Sequence, residues 1–173
     1  MWLHLLILGT LIKHDGHPYE IKKILMGIDP RQEILYVADS KLYYNFEVLE
    51  GKKLIMVKDI IRDGARPSRT VYCITEAGKK EFEKKLLGSF AGNKNEELYI
   101  AVGFMDLIDS SKIVPILTKS IEREGKELEY YQNLYNENSG KADEKSNLIF
   151  NFVAQNKRNK IRWLEEILQR ISS

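Results

Sequence analysis

The pattern of apolar and polar positions predicts a chain that is mainly helical, with a single pair of β strands. The nearly continuous apolar run over residues 3–13 predicts a short buried helix, which Asp15 and Gly16 end. Pro18 suits the first turn of a second helix, because its missing N–H group would be unbonded there in any case. The chain therefore opens with two short helices joined by a tight loop.

A third helix is predicted from Asp39 or Ser40, either of which could cap it, to about Lys52. Its buried stripe consists of three apolar residues at helical spacing, namely Leu42, Phe46 and Leu49. The opposite, exposed face is expected to carry Lys41, Tyr44, Asn45 and Val48.

Two β-rich runs, over residues 54–61 and 70–75, follow the third helix and predict a hairpin with a long tip. A fourth helix is expected over residues 76–87, with Thr75 as its cap. Three helices, a β-hairpin and a further helix follow one another in a winged helix-turn-helix. The order of elements thus predicts that fold for the first half of the chain.

A stretch rich in glycine and asparagine, residues 88–95, is expected to form neither helix nor strand. It divides the chain into a winged helix-turn-helix DNA-binding domain over residues 1–88 and a second domain over residues 95–173. The second domain is expected to be entirely helical and to serve for dimerisation. Its predicted helices span residues 96–108, 111–135 and 147–171.

The predicted helix over residues 111–135 carries apolar residues at alternating spacings of four and three, broken only by Glu124. Such a seam favours packing against another helix. That helix belongs either to a second copy of the chain or to the same chain, and both arrangements can hold together. The candidate dimerisation residues are Leu117, Ile121, Leu128, Tyr131, Trp163, Leu164 and Ile167.

The net charge of +2 is too small to indicate a nucleic-acid partner, but the charge is unevenly distributed. Residues 1–87 carry 15 basic and 12 acidic side chains, whereas residues 88–173 carry 12 and 13. Three arginines gather in the hairpin tip, where a wing would cross DNA phosphates. These are Arg62, Arg66 and Arg69.

Several classes of function are disfavoured by the residue content. The single cysteine, Cys73, excludes an intrachain disulfide and a multi-cysteine zinc site, and the three histidines do not have a metal-ligand spacing. No nucleophile, phosphate-binding or dinucleotide motif is present, so no enzyme, metal or cofactor is expected. The apolar start lacks a cationic region and a cleavage site and is too short to span a bilayer, which favours a cytoplasmic protein.

Several segments resemble the PadR family of transcriptional regulators. Residues 6–9, LILG, and 17–23, HPYEIKK, are similar to the family's opening ILGLL and GYEIKK patterns. Residues 40–50 resemble its tyrosine followed by spaced leucines, and residues 66–78, RPSRTVYCITEAG, resemble its RPRKVYxITExG segment. WLEE at residues 163–166 is similar to the last helix of members with a long C-terminal domain. Lys53 and Tyr44 depart from the pattern, standing where a glycine and a proline are usual.

The resemblance implies a homodimeric repressor that binds double-stranded operator DNA through the third helix and the wing. It also implies that a small hydrophobic or phenolic effector releases the DNA. The alternative function is a winged-helix module that docks onto proteins and binds no DNA. The alternative role of Tyr43 is that of a core tyrosine that braces the third helix. The candidate DNA-binding residues are Ser40, Lys41, Tyr43, Tyr44, Asn45, Arg62, Arg66 and Arg69.

Overall fold

The structure is a computed structural model that describes residues 2–31, 33–62, 68–138 and 143–172. Within these ranges it is mainly helical with one two-stranded antiparallel sheet, which confirms the predicted fold class. A short 3-10 turn, Met105–Leu107, joins the fifth and sixth helices. The elements in chain order are α1 Trp2–Lys13, α2 Pro18–Ile28, α3 Asp39–Gly51, β1 Ile55–Ile61, β2 Arg69–Ile74, α4 Glu76–Ala91, α5 Asn95–Gly103, α6 Ser110–Asn138 and α7 Glu144–Ser172.

The chain forms two compact units, Met1–Ile108 and Asp109–Ser173. Helix α5 lies on the C-terminal side of the sequence-based boundary at residues 88–95, yet it packs in the first unit against α1 and α4. The reason is apolar burial, because Leu98, Ile100 and Ala101 are almost fully excluded from solvent. The winged helix-turn-helix elements and α5 therefore share one core.

Helix α1 is the centre of that core. Six of its leucine and isoleucine side chains are at most 3% exposed, and its neighbours are α2, α3, α4, α5 and β2. Each such burial contributes about 1.5–3 kcal/mol relative to an exposed side chain. A helix that is apolar on nearly every side must be surrounded, which is why the other elements of the unit pack around it.

The turn between α2 and α3 is organised by the buried carboxylate of Asp29. Its oxygens accept hydrogen bonds from the backbone N–H groups of Ile34 at 2.7 Å and Leu35 at 2.8 Å, and from Glu33 at 3.2 Å. One side chain thus satisfies three backbone donors that the turn would otherwise leave unbonded.

Helix α3 begins differently from the prediction. Its N-cap is Ala38, which provides no side-chain cap, so the expectation that Asp39 or Ser40 caps the helix is wrong. The carboxylate of Asp39 instead accepts a 2.5 Å hydrogen bond from Lys22 of α2. The ion pair joins the first turn of α3 to α2.

The wing is a β1–β2 hairpin whose root is fixed to the loop between α1 and α2. The register shifts between Val57 and Asp59, which marks a bulge in β1. Gly16 and Tyr72 exchange two backbone hydrogen bonds of 3.0 and 2.9 Å, so the α1–α2 loop forms a bridge along the free edge of β2. The ring of the half-buried Tyr72 packs on Phe46 with centroids 5.0 Å apart.

The junction of α3, β1 and α4 is tightly packed. Thr75 caps α4 as predicted, with its hydroxyl oxygen accepting from the N–H of Gly78 at 3.0 Å and donating to the carbonyl of Lys53 at 2.8 Å. Lys53 has a φ of 57°, a left-handed conformation that favours glycine. A Cβ on Gly78 would lie 2.0 Å from the carbonyl oxygen of Leu54, so only glycine fits there.

Helix α4 continues to Ala91, so the expectation that residues 88–91 form no helix is wrong. Ser89 donates its hydroxyl to the carbonyl of Lys85 at 2.9 Å, and Phe90 is 1% exposed. The burial of Phe90 outweighs the low helix propensity of the glycine and serine before it.

The second unit is an α6–α7 hairpin closed by its own apolar side chains. Leu117, Leu164 and Ile167 are at most 3% exposed within it. Glu124, which interrupts the apolar seam, is also buried, and its carboxylate accepts hydrogen bonds from Lys160 at 2.6 Å and Lys157 at 3.0 Å. The seam of α6 therefore packs on α7 of the same chain.

Candidate nucleic-acid interface

A groove of about 660 Å³ lies between the start of α2, the exposed face of α3 and the wing. Tyr19 and Lys23 enter it from α2, Tyr43 from α3, and Ser68 and Arg69 from the wing. Three elements that are separate in the sequence thus meet in one concave surface. Aromatic hydroxyl groups and cationic side chains are the groups that bind DNA backbones and base edges.

The exposed face of α3 carries four of the predicted DNA-binding residues. Ser40, Lys41, Tyr43 and Tyr44 are all exposed, and the side chains of the two tyrosines are 47% and 62% accessible. Tyr43 therefore does not brace the core. These side chains are available to a ligand that approaches the helix.

Asn45 is not part of that exposed face, which corrects the prediction. The residue is 1% exposed, and its side-chain amide donates to the carbonyl oxygen of Lys41 at 2.6 Å. A helix turns about 100° per residue, which places Asn45 nearer to the buried Leu42 and Leu49 than to the exposed Tyr44. In this conformation Asn45 presents no group to a base edge. Val48 is likewise partly buried.

The wing contributes two exposed arginines to the region. Arg62 follows the end of β1 and Arg69 begins β2, and both side chains are exposed. Arg69 lines the groove directly. Arg66, the third predicted arginine, lies outside the described residues.

Two groove residues, Tyr19 and Lys23, were not among the sequence-based candidates. Tyr19 is 56% exposed, and the ammonium group of Lys23 lies 5.2 Å from its ring centroid in a cation–π contact. They are four residues apart on the face of α2 opposite the buried Ile21 and Leu25. The sequence shows by this spacing that Tyr19 and Lys23 share a helix face. It does not show that the face lies next to the wing, because that proximity depends on the tertiary structure.

His17 determines how α2 begins at the edge of the groove. Its Nδ1 accepts a hydrogen bond from the backbone N–H of Tyr19 at 3.0 Å, and Glu20 accepts from the backbone N–H of His17 at 3.0 Å. Burial is the main cause that lowers the pKa of His17 below its ordinary value, while Glu20 raises this pKa and Arg69 lowers it. The ring also contacts Tyr43 edge to face, with centroids 6.4 Å apart.

The acidic side chains in the groove are engaged by neighbours. Asp15 forms an ion pair with Lys58 of β1, and Glu20 belongs to the capping box of α2. Lys58 has a raised pKa because of its hydrogen bond to Asp15. Lys58 neutralises Asp15, whereas Glu20 keeps its negative charge, so Lys23 and Arg69 leave the groove with a net positive charge of about one.

The basic stretch in the middle of α7 has a role inside the second unit. Lys157 binds both Glu124 and Glu127, the latter at 2.6 Å, and Lys160 binds Glu124. Burial opposes the charge of Glu124, but hydrogen bonds from the two lysines hold its pKa below the ordinary value. Lys157 and Lys160 are thus partly buried in ion pairs, whereas Arg158 and Arg162 of the same stretch are exposed.

A second, smaller cavity of about 260 Å³ lies within the first unit, between α1, α2 and α5. Its walls include the apolar side chains of Leu6, Ile24 and Phe104, together with Tyr99 and Thr10. The hydroxyl of Thr10 is buried, and no hydrogen-bond partner for it is found among the described residues. The cavity wall is therefore mainly apolar, and Lys13 and His14 are further polar residues in it.

No group of three or more His, Cys, Asp or Glu side chains able to hold a metal comes together in the described ranges. Across the same stretches, none of the helices combines the length and the apolar character needed to span a membrane.

Comparison with solved structures gave matches over nearly the whole chain. The PadR protein of Bacillus subtilis in complex with operator DNA is 18% identical, with 99% of each chain covered and a TM-score of 0.44. The protein smu.1604c of Streptococcus mutans is 21% identical, with 98% of this chain and 99% of that chain covered and a TM-score of 0.43. A transcriptional regulator from Clostridium thermocellum is 32% identical over 49% of this chain and 76% of that chain, with a TM-score of 0.39.

Comparison with family profiles identified the first unit. The search of curated proteins found no match. Residues 7–84 match the profile of the transcriptional regulator PadR-like family, which is a family of regulators and not of enzymes. This range includes α2, α3 and both strands of the wing, and therefore every residue that lines the groove. As the sequence motifs predicted, this part of the chain belongs to the PadR-like family of transcriptional regulators.

Proposed function

We propose that this regulator binds operator DNA as a homodimeric repressor, with α3 in the major groove and the wing on the flanking backbone. The observation that carries the proposal is the groove in which Tyr19, Tyr43 and Arg69 converge from three elements. Helix α3 presents Lys41 and Tyr44 on the same exposed side, and such a helix fits the width of the major groove. Arg69 and Arg62 supply the positive charge that phosphates require.

Fluorescence anisotropy with a labelled duplex from the region upstream of the protein's own gene tests the DNA-binding proposal. The variant Arg69→Ala should weaken binding to this duplex and to a random duplex about equally, and reduce the salt slope by about one. The variant Tyr43→Ala should weaken binding to the upstream duplex more than to the random one. Lys84→Ala is the matched control, because Lys84 is exposed on α4 and does not line the groove.

Unchanged binding in both groove variants would rule out the groove as the DNA site. Absence of binding at every salt concentration would favour the alternative, a winged-helix module that docks onto proteins, which a pull-down would then examine. A reporter gene placed behind the bound duplex distinguishes repression from activation, and the proposal expects lower expression when the regulator is present.

The dimerisation proposal rests on exposed apolar side chains of the second unit. Leu117, Leu164 and Ile167 are buried within the single chain and are not available to a partner. The other predicted dimerisation residues remain part of the proposal, since Tyr131 is 40% exposed and Ile121, Leu128 and Trp163 are half-buried. On α7, Leu148, Ile149 and Phe152 lie within five residues of one another, and exposed apolar side chains grouped in this way are unusual unless another surface covers them. The exposed apolar residues of the unit, each at least 44% exposed, are Tyr130, Leu134, Leu148, Ile149 and Phe152.

Sedimentation velocity tests this surface. The variant Phe152→Asp should shift the protein from dimer to monomer and weaken operator binding, because a monomer contacts only a single half-site. Asn151→Asp is the control, since it places the same charge one residue away at another exposed position of α7. A dimer that withstands Phe152→Asp would contradict the assignment.

The effector proposal places a small hydrophobic or phenolic compound in the cavity between α1, α2 and α5. The cavity volume suits a single aromatic ring, and the buried hydroxyl of Thr10 offers a hydrogen bond to a phenolic oxygen. Thermal-shift titrations with phenol and benzene are a matched pair of probes that differ in that oxygen alone. Phenol should stabilise the protein more than benzene, and Thr10→Val should remove the difference.

A further inference from the structure

His17 joins the two tyrosines of the groove through a single imidazole ring. Nδ1 of this ring accepts the backbone N–H of Tyr19 at 3.0 Å, at the first turn of α2. The edge of the same ring meets Tyr43 of α3 at a centroid distance of 6.4 Å and an interplanar angle of 83°. His17 thus contacts the backbone that carries one groove tyrosine and the side chain of the other.

The cap requires one protonation state of the imidazole. A ring whose Nδ1 accepts a hydrogen bond must be neutral and must carry its proton on Nε2. Protonation adds a hydrogen to Nδ1, which then faces the N–H of Tyr19 and the positive end of the α2 helix dipole. The protonated ring therefore cannot cap α2 in the observed geometry.

Charged groups on the elements around His17 determine how readily its imidazole ring is protonated. Glu20 of α2 favours the protonated ring, whereas Arg69 of β2 opposes it, and Tyr43 of α3 adds an uncharged aromatic edge. Asp15 and Lys23 line the same groove. Because burial lowers the pKa of His17 in the folded state, the cap is fully present above the unfolded-state pKa and is lost as the pH falls through the folded value.

We propose that neutral His17 is a positioning residue of the DNA-binding groove and that it fixes the positions of Tyr19 and Tyr43 relative to each other. Protonation of His17 then weakens DNA binding. The proposal rests on the DNA-binding function proposed above. It makes operator binding sensitive to acidification through a residue that itself reads no base.

Operator binding at about pH 7.5 and about pH 5.5, at equal ionic strength, tests the proposal with three variants. His17→Asn and His17→Ser keep an oxygen that caps α2 at both pH values, while His17→Phe keeps an aromatic ring without an acceptor. The wild type should lose affinity about 3- to 10-fold at the lower pH relative to the two capping variants, as expected for the loss of one N-cap. His17→Phe should bind weakly at both pH values.

The capping variants keep His4 and His14, so their pH profiles report every titration other than that of His17. Equal pH dependence in the wild type and in both capping variants would overturn the proposal. So would a wild-type affinity that rises on acidification relative to them, because the added charge would then act as a phosphate contact. If no variant binds DNA at either pH, the proposed function fails. In that case the thermal unfolding temperature of the wild type should still fall on acidification relative to that of His17→Asn. If the unfolding temperatures of the two proteins depended equally on pH, the cap mechanism itself would be rejected.

Discussion

Replacing Glu124 by glutamine should destabilise the α6–α7 hairpin far more than an ordinary surface substitution. Glu124 has a side chain only 3% accessible, and it binds Lys160 at 2.6 Å and Lys157 at 3.0 Å. Breaking a buried ion pair on one side costs about 3–5 kcal/mol, because the remaining charge stays buried without its partner. The lysine side chains retain 17% and 18% accessibility, and Lys157 keeps Glu127, so the expected loss is about 2–3 kcal/mol. This corresponds to a factor of about 30 to 150 in the unfolding equilibrium.

Urea unfolding followed by Trp163 fluorescence measures this loss in the second unit. Trp2→Phe serves as the background, because these are the two tryptophans of the chain and only Trp163 lies in that unit. The matched control is Glu122→Gln, which makes the same chemical change at an exposed position of α6 and should alter the free energy of unfolding by less than about 0.5 kcal/mol. Equal effects of the two substitutions would refute the reasoning.

Acidification provides a second measurement of the Glu124 network. The lysines hold the pKa of Glu124 below its ordinary value, so the unfolded chain takes up the proton first as the pH falls. The stabilisation is therefore present above the unfolded-state pKa and is lost as the pH passes through the lower folded value. The free-energy difference between the wild type and Glu124→Gln should shrink across that range, and a difference that stayed constant would contradict the assigned protonation state.

Substitutions at three positions in the junction of α3, β1 and α4 can be compared in the same unfolding assay, since one should stabilise the protein and the other two should destabilise it. Lys53→Gly should stabilise the protein by about 1 kcal/mol, because Lys53 adopts a φ of 57°, and a loss of stability would contradict the strain argument. Gly78→Ala should lower the free energy of unfolding by at least about 2 kcal/mol, because the new Cβ would lie 2.0 Å from the Leu54 carbonyl oxygen. Gly88→Ala is the control and should be neutral or stabilising, because the space around Gly88 is open. Thr75→Ala should cost about 1 kcal/mol and Thr75→Ser much less, and equal costs would show that the hydroxyl does not cap α4.

The elements that the sequence predicted correctly depend on signals within a few residues. The apolar run of α1, the buried stripe through Leu42 and Phe46, and the Thr75 cap are each set by neighbours three or four positions apart. Such signals act before any tertiary contact forms. They were sufficient to predict the order of the elements and hence the winged helix-turn-helix.

One error arose where a distant contact decides the outcome. Residues 88–91 have low helix propensity, but Phe90 is buried in the core and the helix extends with it. The error at Asn45 has a local cause. Its polarity and its position four residues from the exposed Lys41 favoured the exposed face, yet it falls within about 60° of both Leu42 and Leu49 around the helix axis and is buried with them.

The candidate site was predicted in part for the same reason. The exposed face of α3 and the arginines of the wing are evident from local pattern, and the structure brings Tyr43 and Arg69 into one groove. Tyr19 and Lys23 belong to that groove because the α1–α2 loop bonds to β2, a pairing between residues far apart in the chain. Long-range pairing of this kind has no short-range sequence signature.

The bridge between Gly16 and Tyr72 also has a mechanical consequence. Its two backbone hydrogen bonds attach the hairpin to the residue that lies two positions before Pro18 and α2. The position of the wing is therefore coupled to the start of α2 through peptide groups and does not depend on flexible side chains. A displacement of the wing should displace Tyr19 with it, so the two sides of the groove are expected to respond together to a bound duplex.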